Sequence, residues 1–239
     1  NTTPSTATLI ARNLGFRVGV PAFDISAACS GFVYALTLAD NMIRLGQVKT
    51  AVIVGAECLS KIVDWQDRNT CVLFGDGAGA VVLQAVKRTG TPDDTGVLST
   101  CIYADGNQYE HLKTTGGVST TQTAGFVQMD GKEVFKHAVV SLAEAAETAM
   151  QKAHINKADV NWLVPHQANI RIIESVGERL GIAPEKVIVT VDHHGNTSAA
   201  SIPLALSENM EQKRLHKGDV VVLTAMGAGF TWGGAVVRI

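Results

Sequence analysis

The sequence has no excess of basic residues, few aromatic residues and no long uninterrupted hydrophobic stretch. Its 20 Lys and Arg residues against 22 Asp and Glu residues give a formal net charge of −2, whereas nucleic-acid-binding proteins carry a basic excess. Three Trp, three Tyr and seven Phe in 239 residues are too few for stacking on bases. The longest uncharged stretch, 221–237, is short and broken by glycine. These absences argue against a nucleic-acid-binding protein and against a membrane-spanning helix.

The four cysteines form neither a metal-binding pattern nor a disulfide pattern. Cys29, Cys58, Cys71 and Cys101 are separated by 29, 13 and 30 positions. No two of them form the CxxC pair that common zinc motifs contain. A chain of this length can bury a core without disulfides. We therefore expect four free thiols in a reducing cytoplasm.

Short apolar, β-branched runs alternate with longer segments of helical periodicity. The predicted strands are 22–26, 51–55, 97–104, 162–165, 187–191 and 220–224, and the predicted helices are 5–14, 30–45, 133–153, 170–180 and 198–215. Strands that alternate with helices indicate α/β layers around a mostly parallel sheet.

Two glycine-rich segments resemble one another. Both 75–83 and 227–237 lead into an Ala-Val-Val strand, and each follows a strand that ends near small residues. We interpret them as parts of two related halves, 1–90 and 91–239, with a chance match as the alternative. The first half would then lack one strand–helix–strand unit at its start, which takes roughly 30 residues or more.

Cys29 is the first candidate for catalysis. It lies between the predicted strand 22–26 and the predicted helix 30–45, in a run of small residues that allows a tight turn. Unpaired N–H groups at a helix N-terminus favour the thiolate form of a cysteine, and a nucleophile on a strand-to-helix turn is typical of serine hydrolases. A buried structural cysteine is the alternative.

Two further polar residues follow predicted strands. His166 comes directly after the strand 162–165, and Asn196 comes soon after the strand 187–191. In α/β sheets, ligands bind outside the C-terminal ends of the strands. Taken alone, each residue is more often an ordinary polar loop residue.

The residues on either side of Asn196 have simpler interpretations. His193 and His194 are adjacent, and on a strand end their side chains would point in opposite directions. Since no carboxylate stands at a metal-ligand spacing nearby, we expect no metal site. Thr197 or Ser198 is expected to cap the helix that follows.

Together, Cys29, His166 and Asn196 indicate one site, because packing alone does not require a polar residue after three of the clearest strands. His and Asn donors facing a thiol suit a reaction in which negative charge develops on a carbonyl oxygen. The glycine-rich loop 227–229 could add backbone N–H donors. It leads into a strand and has no acidic residue about 20 positions on, so it is not a dinucleotide-binding motif.

Four separated motifs resemble the beta-ketoacyl-acyl carrier protein synthase III family. They are DISAACSGF at 24–32, VPHQAN at 164–169, HGNTSAAS at 194–201 and GFTWG at 229–233, and they occur in order along the whole chain. The resemblance implies a thiolase-like α/β fold with two related halves in a five-layer α-β-α-β-α arrangement, usually as a homodimer. Family members begin well before this sequence does, which agrees with the expected missing unit.

By position, the resemblance also implies roles in catalysis. Cys29 would take an acyl group from an acyl-coenzyme A, with acetyl-coenzyme A as the expected donor. The thioester oxygen would bind the backbone N–H groups of Cys29 and Ala228, although the family usually has glycine at the second position. His166 and Asn196 would bind the thioester carbonyl of malonyl-acyl carrier protein. Its decarboxylation gives an enolate that attacks the acyl-cysteine, a reaction of fatty acid synthesis that needs no metal or redox cofactor.

Four further residues match substrate-binding positions of the family. Phe135 matches a phenylalanine beside the active-site histidine. Asn169 and Arg171 match positions at the mouth of the tunnel, where they would meet the carrier protein or the pantetheine arm. Arg68 matches an arginine that stacks on the coenzyme A adenine, and its usual aromatic partner belongs to the segment that this sequence does not contain.

Three other functions remain open at this point. A hydrolase of the Cys-His-Asn type would use the same residues to activate water. A noncatalytic relative that binds acyl carrier protein would need none of them. A nonelongating or polyketide-type acyltransferase would share the chemistry and differ in the shape of its pocket.

Overall fold

The computed structural model describes residues 3–91 and 94–239. The helices of this part are α1 (Thr6–Asn13), α2 (Gly31–Arg44), α3 (Gly131–Ala153), α4 (Ile170–Leu180), α5 (Val191–His194) and α6 (Ser201–Glu211). The strands are β1 (Thr50–Cys58), β2 (Asp76–Gln84), β3 (Gly96–Ala104), β4 (Leu112–Thr114), β5 (Val127–Met129), β6 (Trp162–Pro165), β7 (Val220–Gly227) and β8 (Thr231–Arg238).

A four-stranded sheet in the order β3-β8-β7-β6 forms the centre of the molecule. Strands β6 and β7 are parallel, whereas β8 is antiparallel to both β7 and β3. The sheet is therefore mixed, and the prediction of a mostly parallel sheet is wrong. The reason is the short connection between β7 and β8, since only antiparallel neighbours can be joined by a tight turn.

Helices cover both faces of this sheet. Every residue of β7 is buried, and its side chains alternate between two apolar clusters, as strand geometry requires. Val222 packs with residues of α3 and α4, while Val221 and Leu223 pack with residues of α2 and α6. The strand was predictable as a continuous hydrophobic run because both of its faces lie in the core.

A two-stranded antiparallel ladder lies on the far side of α2 and α6. Strand β1 pairs with β2 from Thr50 opposite Gln84 to Cys58 opposite Asp76. Val81 of β2 packs against the α2–α6 cluster, whereas Val82 is 66% exposed. The layers of the described chain thus run from α3 and α4 through the four-stranded sheet and the α2–α6 layer to this ladder.

The predicted strand 22–26 is not a strand in the structure. The segment has no strand assignment, and no described strand pairs with it. An extended segment becomes a strand only when a neighbour satisfies its backbone N–H and C=O groups. Asp24, within this segment, instead accepts hydrogen bonds from the backbone N–H groups of Thr6 and Ala7 at the start of α1.

The predicted strand 187–191 is reduced to a single bridge between Val187 and Leu163. The side chain of Gln167 replaces the neighbouring strand beyond this point. Its Oε1 accepts from the N–H groups of Thr190 (2.7 Å) and Val191 (3.2 Å), and its Nε2 donates to the carbonyl of Ile188 (3.2 Å). The chain then turns into α5.

The other predicted strands and the helices 5–14, 30–45, 133–153 and 170–180 are confirmed, with small differences at their ends. In the described part of the chain, no helix is both long enough and apolar enough to cross a bilayer, and the four cysteines are free. The first two residues of the sequence, Asn1 and Thr2, lie outside the described residues. The division into halves 1–90 and 91–239 stays a prediction.

Candidate active site

Cys29 lies on a sharp turn directly ahead of α2. The turn is a short 3-10 helix, Ala28–Ser30, in which Ala28 has a φ of 46°. Thr231 stabilises this turn, since its Oγ1 donates to the carbonyl of Ala27 (2.9 Å) and accepts from Ser30 Oγ (2.8 Å). The start of β8 therefore fixes the position of Cys29, about 200 residues away in the sequence.

The end of β7 approaches the same turn. A Cβ atom built on Gly227 would lie only 2.5 Å from the backbone nitrogen of Cys29, so only glycine allows this close contact. Ala228 is the next residue and is half-buried. The loop after β7 thus lies beside the N–H group of Cys29, where the resemblance expected a second backbone donor.

His166 lies at the end of β6 and is 3% exposed. Its backbone N–H donates to the carbonyl of Thr224 in β7 (2.7 Å). Its Nδ1 atom is 2.7 Å from Ser201 Oγ, and this Oγ accepts a hydrogen bond from the N–H of Gln167 (3.3 Å). Burial lowers the pKa of His166 to about 4, because a charged imidazolium loses its hydration. The ring is therefore neutral at pH 7.

Asn196 is held by its backbone and by its side-chain oxygen. Its N–H donates to the carbonyl of Leu73 (2.8 Å), and its carbonyl accepts from the N–H of Gly75 (2.9 Å). Its Oδ1 accepts from the N–H of Ser198 (2.9 Å). Since this contact uses the oxygen, the Nδ2 end of the amide is the end that can donate to a ligand.

The segment 196–201 joins the three residues. The turn that carries Cys29 packs against residues 198–200, and the Ser198 side chain lowers the pKa of the Cys29 thiol. Asn196 binds the Ser198 backbone, and His166 contacts Ser201. Residues 198–200 form one 3-10 turn that leads directly into α6. Three residues far apart in the sequence thus meet around one helical turn.

The charge state of Cys29 differs from the prediction. Burial raises the pKa of its thiol to about 11, and the nearby Glu57 carboxylate raises this pKa further, while the bond with Ser198 lowers it. The expected thiolate at the helix N-terminus is therefore wrong for the free protein, because loss of hydration outweighs the stabilising donors. At pH 7 both Cys29 and His166 are neutral.

Comparison with known proteins decides the family. The model "3-Oxoacyl-[acyl-carrier-protein (ACP)] synthase III" matches residues 23–106, and the corresponding C-terminal model matches residues 150–239. The beta-ketoacyl-[acyl-carrier-protein] synthase III of Rhodospirillum centenum is 57% identical over 237 residues, which are 99% of this chain and 73% of that protein. This chain belongs to the beta-ketoacyl-acyl carrier protein synthase III family.

Further relatives support the fold and the class of activity of this synthase III. The Paramagnetospirillum magneticum enzyme is 54% identical and covers 100% of this chain, which spans 74% of that protein. The crystal structure of the Aquifex aeolicus synthase III superposes with a TM-score of 0.92 at 45% identity, over 100% of this chain and 73% of that one. The predicted thiolase-like α/β fold is confirmed. The protein is an acyltransferase, a condensing enzyme of fatty acid synthesis.

Two residues of this candidate site, Ser198 and Glu57, were not predicted from the sequence. Ser198 was expected to cap a helix, yet neither its side chain nor that of Thr197 does so. Ser198 Oγ instead donates to Glu57 Oε1 (3.2 Å). Glu57 lies near the end of β1, and burial raises its pKa. The signal that could have found it is the one used for His166, a polar residue at the end of a hydrophobic strand.

The four predicted substrate-binding residues take no part in these contacts. Phe135 packs against the apolar cluster of α3 and α4, and Asn169 caps α4 through a bond from Ile172 N–H to its Oδ1 (3.0 Å). Arg68 and Arg171 are exposed. Among the described residues, no recorded hydrogen bond or ion pair joins these four to the three central residues. Their roles toward substrate stay predictions.

Proposed function

We propose that this synthase III transfers an acyl group from acyl-coenzyme A, with acetyl-coenzyme A as donor, to Cys29. The acyl group then condenses with malonyl-acyl carrier protein to give a 3-oxoacyl-acyl carrier protein. The observation that carries the proposal is the convergence of Cys29, His166 and Asn196 on the segment 196–201. A thiol and two neutral donors at one point are the groups that this condensation requires.

In the first step, the sulfur of Cys29 attacks the thioester carbonyl. The C–S bond to coenzyme A breaks, coenzyme A leaves as the thiol, and the proton lost by Cys29 balances it. We assign the backbone N–H groups of Cys29 and Ala228 to the oxyanion of the intermediate, and the close approach of Gly227 to the Cys29 nitrogen supports this assignment. Replacement of the usual glycine by Ala228 keeps this backbone donor.

In the second step, His166 and Asn196 bind the thioester carbonyl of malonyl-acyl carrier protein. Ser201 Oγ accepts from the Gln167 N–H, so its own proton can be donated to His166 Nδ1. The ring hydrogen is then on Nε2, which faces the substrate as a donor. Loss of carbon dioxide leaves an enolate that these donors stabilise, and the enolate carbon attacks the acyl group. The C–S bond to Cys29 then breaks, and the released sulfur takes a proton from water to restore the thiol.

The binding of the two substrates follows from the same resemblance. Arg68 and Arg171 are exposed cations that suit the phosphates of coenzyme A or of the carrier's pantetheine arm. We place Phe135 and Asn169 along the path of that arm. A cytoplasmic homodimer, with no nucleic acid and no membrane as partner, is part of the proposal.

The test is to incubate the protein with acetyl-coenzyme A and to measure its intact mass. We expect one acetyl group on Cys29, its loss in the Cys29→Ser variant, and its retention in the matched Cys58→Ser variant, which removes an exposed thiol. The acyl-enzyme should persist in water and disappear only when malonyl-acyl carrier protein is added. Rapid hydrolysis would favour a hydrolase, and absence of an adduct would contradict acyl transfer.

A further inference from the structure

A second cluster of reactive side chains lies two residues before Asn196. His193 and His194 end α5, and Glu208 lies on α6. His193 Nε2 is 2.9 Å from Glu208 Oε2, and His194 Nε2 is 3.6 Å from the same oxygen. One potential ligand atom from each residue lies within 4.8 Å of the other two. The three side chains therefore converge on one point between α5 and α6.

No metal site was expected here because adjacent side chains on a strand end point in opposite directions. The observed geometry is different. Residues 191–194 form a helical turn rather than a strand end, so the two histidine rings turn to the same side, with centroids 4.4 Å apart. The missing carboxylate comes from Glu208, 14 residues further on in the chain. A separate helix brings it to the rings, and no short spacing could reveal this.

The distances fit a small divalent ion. Zinc binds imidazole nitrogen at about 2.0–2.1 Å and carboxylate oxygen at about 2.0–2.2 Å, so the ligand atoms around a tetrahedral ion lie roughly 3.3–3.5 Å apart. The contacts of 2.9 and 3.6 Å from the two histidines to Glu208 lie on either side of this range. Only small side-chain movements would bring the ligands to ideal positions.

The other hydrogen bonds of His193 and Glu208 are also typical of metal ligands. His193 Nδ1 is 2.9 Å from Asp192 Oδ1, and Gln212 Nε2 donates to the other oxygen of Glu208, Oε1 (2.8 Å). Such partners orient metal ligands in proteins, most often as a carboxylate on the far nitrogen of a histidine. They leave Nε2 of His193 and Oε2 of Glu208 pointing to the same place.

Hydrogen bonds among the described residues do not fix the orientation of the His194 ring. Its Nδ1 atom is buried and has no hydrogen-bond partner among the described residues, although buried polar atoms normally have one. Its Nε2 atom is 3.6 Å from Glu208 Oε2, which is too long for a hydrogen bond. A metal ion bound to Nε2 would supply an interaction that fixes the ring.

We propose that His193, His194 and Glu208 bind one first-row divalent transition metal ion, with Zn²⁺ as the best match to two imidazoles and one carboxylate. Water completes the coordination. The ion joins α5 to α6, the two elements that flank Asn196 in the chain, so its role is to hold the segment 196–201 in place. It takes no part in the acyl-transfer chemistry.

The test uses the untagged protein stripped of metal with a chelator. Zn²⁺ is titrated in competition with a chromophoric zinc indicator, and we expect one equivalent per chain. His193→Asn and Glu208→Gln should each weaken binding at least about tenfold, the lower end of the effect seen for outer-shell partners. His216→Asn is the matched control, because His216 is an exposed histidine near a single carboxylate, Asp219, and it should leave binding unchanged.

Co²⁺ absorption identifies the ligand atoms independently of these variants. Nitrogen and oxygen ligands give visible bands without thiolate charge-transfer absorption, whereas binding by exposed Cys58 would give that absorption. Charge-transfer absorption, equal loss of binding in the His216 variant, or no bound equivalent would overturn the proposal. Gln212→Ala leaves all three ligands in place and should weaken binding less than Glu208→Gln, which separates ligation from a general loss of folding.

Discussion

The four-stranded sheet and the β1–β2 ladder contain nearly the same short sequence, but they are packed very differently. The Ala-Val-Val string of β8 has Val236 buried against α3 and Val237 against the α2–α6 layer. The same string in β2 has Val81 against that layer, while Val82 is 66% exposed. The strings do not differ in hydropathy. They differ in how many faces of the strand are covered by helices.

The four-stranded sheet and the ladder also contribute differently to the candidate active site. His166 belongs to the four-stranded sheet and is almost fully buried, with Ser201 as its polar neighbour. The Cys29 turn is also held by this sheet, through Gly227 of β7 and Thr231 of β8. The four-stranded sheet therefore fixes both residues in position. The ladder supplies a charged group, half-buried Glu57 of β1, which binds Ser198 and raises the pKa of Cys29.

The largest expected effect separates the two proposed steps of the reaction. Removal of one donor in His166→Ala or Asn196→Ala should slow malonyl-thioester decarboxylation by about 100- to 1000-fold, because in the proposed mechanism each donor stabilises the enolate oxygen. Acylation of Cys29 by acetyl-coenzyme A should continue, since the donors proposed for that step are backbone N–H groups. Carbon dioxide release and intact mass measure the two steps. An equal fall in both steps would show that the side-chain donors and the backbone donors do not act on separate steps.

Burial of His166 should also appear in the stability of the protein. Its pKa is lowered from 6.5 to about 4 in the folded state, so between these pH values the unfolded chain binds a proton that the folded chain does not. Above pH 6.5 this residue does not reduce the free energy of unfolding. As the pH falls from 6.5 to 4, that free energy should fall by about 3 kcal/mol. Denaturant unfolding at several pH values measures the loss.

The matched variant for this measurement is His166→Gln, which has no titratable group. It should lack this part of the pH dependence, while the contributions of the carboxylates stay the same. If the two proteins lose stability in parallel between pH 6.5 and 4, His166 is more hydrated in solution than its position in the sheet implies.

The contrast between the two strands can be tested directly with two identical substitutions. Val236→Ala should reduce the free energy of unfolding by about 2 kcal/mol, because it removes buried methyl groups and leaves a cavity. Val82→Ala should change it by less than about 0.5 kcal/mol, as expected for an exposed site. Equal costs would mean that another surface covers the ladder in solution, and a second copy of the chain would be the first candidate.

Much of the fold could be predicted because it depends on local pattern. The run 162–165 is apolar on both faces, and helix 170–180 has an apolar stripe and a glycine directly after its last residue, so their bounds agree with the structure. Cys29, His166 and Asn196 were candidates because a polar residue after an apolar run has no packing role. The three residues meet at the segment 196–201 because the layers of the fold bring the elements that carry them together.

The parts that could not be predicted depend on partners distant in the sequence. Segment 187–191 looks like a strand, but the side chain of Gln167 takes the place of the neighbour it would need. The thiolate expected at Cys29 depended on the helix end alone, whereas the burial of the turn and the charge of Glu57 decide its pKa. Glu57 and Ser198 are 141 positions apart, and no local pattern connects them.

The smallest expected effect concerns Glu57 and Ser198. Substitution of these two residues should shift the Cys29 pKa in opposite directions. Glu57→Gln removes a negative charge that raises the Cys29 pKa, and Ser198→Ala removes a hydrogen bond that lowers it. Because the thiolate is the reactive form, alkylation of Cys29 by iodoacetamide at pH 8 should be faster than wild type in Glu57→Gln and slower in Ser198→Ala. Peptide mass spectrometry separates Cys29 from Cys71, a partly exposed thiol that is adjacent to neither substituted residue and whose rate is the internal control. A shift of both variants in the same direction would mean that they alter access to the thiol, and that the ladder side does not adjust its charge.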